Sequence, residues 1–440
     1  MAEAVSKNYF PSQVASDEEK MSLAYGDEIA RAIENEWFKR DSATNRYHLN
    51  QQNFHKLRLY ARGEQSSQKY KDELSINGDM SYLNLDWKPV PIIPKFVDIV
   101  VNGIAERGYD IKAYSQDPNG VSKRTQYMES LLIDMKTKDL ADFSQQNFGI
   151  QIAQTEKDKL PQDEEELQLH MQLTYKQAIE MAEEQALNVV FEQNKYELTK
   201  KRFYYDLAVL GIGANKTTFS TAEGIKIEYV DPANLVYSYT DSPYFDDIYY
   251  VGELKTIPIN ELKKDFPNLT QEDLEKISGA GSSQYKTYNK QNTDNNNYDV
   301  NTVDVLYFNY KTYVNEVYKI KTTASGAEKV IPKNDLFNPP NDPRSKFSKI
   351  SRAVEVVFEG VYILGSRKLL KWQIAPNMLR VKSDMNKVRM NYSIVAPRVY
   401  NGRVESLVSR ITGFADMIQL THLKIQQVMA RMVPDGVYLD

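Results

Sequence analysis

The run GIGANKTT, residues 211–218, is the first stretch of this 440-residue chain that could do chemistry, because Lys216 and Thr217 echo the end of a phosphate loop. Such a loop needs glycine directly before the lysine and another five residues earlier, and those positions hold Asn215 and Leu210. The run also follows a helical pattern and precedes a strand pattern, the reverse of the required order. It reads as a helix stop and a turn. Asp241, Asp246 and Asp247 gather around Pro243, with Asp231 nearby, and carboxylates this dense can bind Mg²⁺ or Ca²⁺. Nothing in their spacing sets a geometry, and loop aspartates ordinarily face water. The four histidines (His48, His55, His170, His422) stand in no metal-ligand spacing, and there is no cysteine. Thiol catalysis, disulfides and cysteine-ligated zinc are excluded, which fits a reducing compartment or a particle assembled in one. No nucleophile elbow or zinc-protease motif is present. The expectation is a chain without catalytic residues, metal or cofactor.

The basic side chains carry more information. The net charge of -5 is unevenly spread: residues 341–440 hold 16 Lys and Arg against 8 Asp and Glu, which leaves -13 for the first 340. Such asymmetry fits one surface facing a polyanion and another facing solvent or basic partners. Lys382, Lys387, Arg389, Arg398, Arg403, Arg410, Lys424 and Arg431 flank or line a helical pattern over 397–432. Its apolar positions step by three and four through Val404, Leu407, Ile411, Phe414, Ile418, Ile425, Val428 and Met432, with Thr421 the polar exception. A rod of that length spans roughly 50 Å and needs neighbours along all of it. The seam therefore reads as the wall of an oligomer. In packed copies the basic residues would form rings that attract a phosphate backbone without reading sequence, or would pair with acidic faces of neighbouring subunits. Thirty tyrosines against sixteen phenylalanines fit either protein interfaces or the codon bias of an AT-rich genome.

The elements that must position these residues follow from periodicity. Residues 1–22 read as a mobile arm, followed by one long helix over 25–62 stopped by Gly63. Pro89, Pro91 and Pro94 introduce a helix with Phe96, Val97, Val100, Val101 and Ile104 on its core face. Residues 109–120 alternate like a short strand; a helix near 121–140 and an acidic helix over 163–210 come next. Strand patterns then dominate in KTTFST, GIKIEYV, NLVYSYT and DIYYVGELKTI. A helical segment over 258–277 breaks near Pro267 and runs into an Asn- and Ser-rich loop. Residues 301–372 return to strands. No apolar run approaches the 18 residues of a membrane span, and the N-terminus lacks a secretory pattern.

The order of these parts, with IEYVDPANLVYS…DDIYYVGELKTIPINELKKDFP, then VFEGVYILGSRKLLKWQIAPN and the long helix, resembles the portal proteins of tailed bacteriophages, among them the podovirus-like and crAss-like kinds. The D-P-x-N turn at Asp231–Asn234 and the ending Glu261–Pro267 resemble the family's wing. The resemblance covers most of the chain beyond residue 30 and rests on order and type, with no catalytic signature. It implies an α+β chain with long helices and strand-rich wing and clip modules. The implied divisions are a flexible arm (1–30), a wing (31–256), a first stem helix and loop (257–300), a clip (301–380) and a second stem helix (381–440).

It further implies a ring, usually of twelve copies, at a capsid vertex. Double-stranded DNA is packaged and ejected through such a ring, whose partners are the major capsid protein, a terminase and tail adaptor proteins. The protein would reside in the virion after assembly in the host cytoplasm, with no cofactor and no membrane. Channel-facing candidates are then Arg398, Arg403, Arg410, Lys424 and Arg431; clip-partner candidates are Arg344, Lys346, Arg367, Lys368 and Lys371. The family continues past this helix into a tunnel loop and crown, whereas this chain stops at Asp440, so it is either a portion of a longer protein or lacks the crown. The alternatives are another structural virion protein, such as an adaptor or scaffold, and a nucleic-acid-processing enzyme using Lys216 or Asp246.

Overall fold

The computed structural model describes residues 9–38, 45–75, 85–108, 111–138, 140, 143, 144, 147, 160–173, 175–222, 224–281, 302–322, 328–338, 347–381 and 383–431. The chain is mixed α+β and divides into two compact units, Met1–Glu106 with Leu198–Asp440, and Arg107–Glu197.

The larger unit is organised by one antiparallel sheet of order β3-β4-β5-β7-β8, with β6 added beyond β4 on the same edge of β5. Its strands are β3 (Leu235–Tyr237), β4 (Tyr250–Pro258), β5 (Thr302–Thr322), β6 (Glu328–Lys333), β7 (Phe347–Ile363) and β8 (Lys368–Ile374). Alternation along β5 sends Leu306, Phe308 and Tyr310 into one core and Val303, Val305 and Tyr307 into another, so the near-continuous run VDVLYF buries both faces. On the first face lies α2 (Leu23–Phe38), whose Ile29, Ala30, Ile33 and Trp37 are inaccessible. On the second lie α10 (Ile259–Asp265) and α11 (Gln271–Gly281), through Leu262, Leu274 and Ile277.

Size complementarity fixes how α2 meets the sheet. In register, Phe308 lies opposite Gly360 and Gly360 opposite Trp372, and a Cβ on Gly360 would fall 2.3 Å from the Phe308 ring. Trp372 stacks on Phe358 at 4.8 Å and donates its indole N–H to the Lys20 carbonyl. Gly26 of α2 sits over the Trp372 ring, where a Cβ would approach to 2.5 Å. Tyr362 donates to Glu34 and the Trp37 indole donates to Tyr250, both buried, so the aromatic polar tips are satisfied.

A second sheet, β11-β1-β2, is built from β1 (Gly213–Ser220), β2 (Gly224–Val230) and β11 (Tyr392–Val395). Beside it α3 (Arg46–Arg62) and α9 (Tyr196–Val209) meet in a charge cluster. Arg58 donates to both oxygens of Asp231, at 2.6 and 3.1 Å, and lies 3.7 Å from Asp206. Burial pushes the Asp206 carboxyl up to about 6, even though Tyr229 donates to it and Arg58 attracts it.

The smaller unit contains α6 (Pro118–Lys136), α7 (Glu164–Leu173) and α8 (Ala178–Gln193). The segment expected to be a strand over 109–120 is extended over 111–116 but joins no sheet; 109 and 110 lie outside the described residues. Its alternate N–H groups are taken by α8 carboxylates instead, Ala113 by Glu184 at 3.1 Å and Ser115 by the buried Glu180 at 2.9 Å.

Several other expected elements differ. The arm expected over 1–30 reaches the core already at Phe10. Phe10 stacks with Tyr250 and Tyr310 and meets Tyr249 edge-on, and α1 (Asp17–Met21) covers the edge of β5 left open between β4 and β6. There Asp17 accepts from the Asn315 N–H and Lys20 donates to the Tyr313 carbonyl, which blunts the edge. The helix expected over 25–62 is two, α2 and α3, the second started by Asn45 accepting from the His48 N–H. The helix expected over 163–210 is three, broken by the Gln177–Glu180 capping box and by Lys195 in the left-handed region. The first stem helix implied over 257–300 is α10 and α11, separated at Pro267; 282–301 lie outside the described residues. The divisions 31–256 and 301–380 share one core, because β3 and β4 pair into the same sheet as β5 and β7.

Two measurements test this packing. Gly26→Ala should gain about 0.5–1 kcal/mol in helix propensity yet lower net stability by about 1–2 kcal/mol, since overpacking against a ring costs about 1–3; urea denaturation reads the sign. Asp206 holds its proton more tightly when folded, so its contribution is fully present below pH ~4 and is lost as pH rises through about 6. The stability difference between wild type and Asp206→Asn should therefore shift by on the order of 2 kcal/mol between pH 4 and pH 8. A difference independent of pH would show that Asp206 does not titrate there.

Candidate assembly surface

The long C-terminal helix, α12, spans Leu407–Arg431 and is shorter than the periodicity predicted. The preceding residues form a hairpin, β12 (Val399–Tyr400) paired with β13 (Arg403–Val404), turned by Asn401 and Gly402 at positive φ. Asn-Gly at a two-residue turn is a strong hairpin signal that the helical reading of 397–432 passed over. Met432 lies outside the described residues.

One side of α12 is spent on its own chain, and it mixes apolar with polar side chains. Val408, Ala415, Gln419 and Leu423 are buried at helical spacing. Asp416 accepts from Tyr60 at 2.8 Å, Tyr70 at 2.7 Å and Lys69 at 2.5 Å, tying α12 to α3 and to α4 (Gln68–Leu74). Burial alone would raise the Asp416 carboxyl; the donations of Lys69, Tyr70 and Tyr60 outweigh it and hold the group below the usual range. Two turns of helix then grip the extended residues 85–90. Gln419 accepts from the Val90 N–H at 2.8 Å, and Gln426 accepts from the Asp86 N–H at 3.3 Å.

With that face occupied, most of the predicted seam is left in solvent. Phe414 is 65% exposed, Ile418 41%, Ile425 53% and Val428 60%, joined by Met417 and Met429. At roughly 100° per residue these six form one continuous stripe, about 140° around the helix from the buried face. The seam is not uniform: Val404 is in a strand, and Val404 and Ile411 pack against the core of their own chain; Leu407 is half-buried. On α5 (Ile93–Ala105) Phe96 and Ile99 form a second exposed apolar patch, while Ile93, Val97 and Val101 face the core and Ile104, on the same side by spacing, is 41% exposed near the helix end. Patterning had placed Phe96 on the core face.

The expected channel cations are only partly on this helix. Arg398 and Arg403 are exposed in or beside the hairpin, Arg410 lies 3.8 Å from Glu405, and Lys424 is exposed; the side chain of Arg431 lies outside the described residues. The expected clip contacts move further. Arg344 and Lys346 lie outside the described residues. Arg367, Lys368 and Lys371 sit where β7 turns into β8, at the end of the sheet away from the free ends of β5 and β7, since Ile363 pairs with Val305. Each has a partner in its own chain: Glu34 at 3.7 Å, Asp273 at 2.8 Å and Glu359 at 2.5 Å.

The chemistry considered at Lys216 is closed by geometry. Helix α9 stops at Val209, Gly211 takes a φ of 83°, and Lys216 lies mid-strand between Tyr392 and Glu228. The run is a strand rather than a turn, so its amides serve sheet pairing and offer no phosphate cradle. Lys216 lies over the Tyr392 ring at 5.0 Å and lines a cavity of about 460 Å³ with Tyr307, Asn309, Glu359 and Lys371. Three of the four aspartates are engaged: Asp231 with Arg58 and the Ala233 N–H, Asp241 with Tyr239 and the Gly402 N–H, Asp247 with Thr240. Among the described residues no group of three or more potential ligands could hold a metal, and no helix is long and apolar enough to cross a membrane. No protein-family model matches the chain, and no curated protein matches it.

Asp416→Asn should lower stability by about 1–2 kcal/mol, the scale of losing charge-assisted hydrogen bonds. That loss should vanish as pH falls below the folded-state pKa, because the depressed carboxyl stabilises only while ionised. Chemical denaturation at pH 7 and at successively lower pH checks both.

Proposed function

We propose that this chain is a portal protein: a non-enzymatic subunit of a ring, of about twelve copies as the family resemblance implies, that conducts double-stranded DNA at a capsid vertex. The observation that carries the reading is the exposed stripe Phe414–Met429 on a helix whose other side is already bonded to its own chain. Six large apolar side chains in one continuous line are a surface that association covers. A ring needs a heterologous contact between two different patches, and Phe96 and Ile99 of α5 offer a second apolar patch on the same chain.

In this reading α12 helices stand side by side around an axis. Arg398, Arg403, Arg410 and Lys424 supply positive potential that holds DNA loosely and without sequence preference, as passage of a genome requires. The partners are other copies of the chain, double-stranded DNA, the major capsid protein, a terminase and tail adaptors, and the site of action is the virion. The chain contributes position and charge; the work of packaging belongs to the separate motor.

Native mass measurement and negative-stain microscopy of the full-length protein test this. The expected result is a ring with a central hole. Phe414→Glu with Ile418→Glu should dissociate it with little change in subunit melting temperature, because both side chains are already in solvent. Ile411→Asp is a poorer probe, since Ile411 also packs on its own core. A monomer or dimer at every concentration overturns the ring, and a filament or cap would favour an adaptor or scaffold.

A further inference from the structure

The amides around Lys216 are spent on sheet pairing, but its side chain is not. Lys216 reaches from β1 over the second face of the main sheet, its ammonium 5.0 Å from the Tyr392 ring centre and 5.9 Å from that of Tyr307. Burial draws its pKa below the usual lysine value, against the pull of Glu253 and, more weakly, of Glu228 and Glu359. Each of those carboxylates is held by a different lysine: Glu253 by Lys255 at 3.3 Å, Glu228 by Lys226 at 2.8 Å and Glu359 by Lys371 at 2.5 Å. Among the described residues the Lys216 ammonium makes no hydrogen bond and no ion pair. A half-buried ammonium without a counter-ion costs stability, so it marks a place to search for a ligand.

The cavity of about 460 Å³ that Lys216 lines gathers further polar groups without partners. Register sets its floor: Tyr307 lies opposite Val361 and Val361 opposite Lys371, while Asn309 lies opposite Glu359. Residues directly opposite one another, and those two apart along a strand, share a face. Asn309 is only 8% exposed, yet among the described residues its side-chain amide makes no hydrogen bond. A buried amide ordinarily has one. Burial, and then the charge of Asp265, push the Tyr307 hydroxyl up to about 12, so it keeps its proton and can donate. Phe266 and the exposed Asp265, where α10 ends, line the cavity too. Asp265 likewise forms no ion pair among the described residues.

We propose that this cavity binds a small zwitterion of the amino-acid class with an apolar side chain, its carboxylate on Lys216 and Asn309 and its ammonium on Asp265. Charge decides between ligands. The lining carries Lys216 and Lys371 against Asp265 and Glu359, and of these Lys371 and Glu359 satisfy each other. One cation and one carboxylate are left, which a zwitterion matches. A phosphate dianion does not, because Asp265 and Glu359 repel it. A carboxylate is the group that an ammonium and an amide N–H can bind together. The apolar part of the ligand rests on Phe266, Val361 and the Tyr307 ring. Apolar walls with a few convergent polar groups, at this volume, are the usual make-up of a small-molecule site. Every residue of the site belongs to one chain, so the inference stands whether or not the chain forms a ring.

Isothermal titration calorimetry of the full-length protein tests this with four probes: L-phenylalanine, phenylacetate (no ammonium), phenethylamine (no carboxylate) and inorganic phosphate. Phenylalanine should bind roughly tenfold or more tightly than each of the others, the scale of one charge-assisted contact. Lys216→Met keeps an apolar stem against the rings and should weaken phenylalanine and phenylacetate roughly tenfold or more. Asp265→Asn, whose side chain is exposed, should fold as wild type does and bring phenylalanine down to the affinity of phenylacetate. The proposal fails if phenylalanine does not bind, if wild type holds phenylacetate as tightly, or if phosphate binds more tightly than phenylalanine. Wild-type affinity in Lys216→Met sinks it as well. Urea denaturation of each variant separates a lost site from a lost fold, and if Lys216→Met does not fold, Asp265→Asn still decides.

Discussion

Which side of α12 is committed to its own chain determines what the rest of the molecule can offer. A helix can satisfy one face by apolar burial or by hydrogen bonding, and here both share it, with Val408, Ala415 and Leu423 buried beside Asp416 and Gln419. Asp416 collects two tyrosine hydroxyls and an ammonium, and Gln419 and Gln426 collect main-chain N–H groups seven positions apart. Each such group would be costly to bury unpaired, and each is paired. The apolar stripe is thereby left exposed among the described residues.

The grip of α12 on residues 85–90 has a counterpart in the smaller unit. There Glu180 and Glu184, one turn apart on α8, accept from the alternate amides of Ser115 and Ala113. In both cases an extended segment finds side-chain acceptors on a helix in place of a neighbouring strand. The spacing works because alternate residues of an extended chain point their N–H groups the same way while helix positions four or seven apart share a face. Such segments carry strand-like alternation without belonging to a sheet.

Charge is managed differently at the two ends of the main sheet. Near the turn from β7 to β8, cations are matched one to one with Glu34, Asp273 and Glu359. On the ribbon that β5 forms with β6 and β7, register sets Lys319 opposite Lys349 and Lys321 opposite Lys329. A count of basic residues by sequence region cannot separate these cases, because which charges become neighbours is decided only when strands are paired.

Strand faces were legible from local pattern: VDVLYF, KTTFST and GIKIEYV are strands because side-chain alternation is a property of neighbouring residues. So were the helix stops at Gly63 and Gly211 and the turn at Asp231–Asn234. The stripe Phe414, Ile418, Ile425 and Val428 was legible as a line, though its extension to Val404 missed the Asn-Gly hairpin. What only tertiary structure decided is which side of that line faces inward. Reading apolar as inside assigns Asp416 and Gln419 to solvent; their partners Tyr60 and Val90 stand 356 and 329 positions away, and no local pattern encodes so distant a match. The cross-strand lysine pairs arose in the same way, from a register that brings β5, β6 and β7 together across the fold.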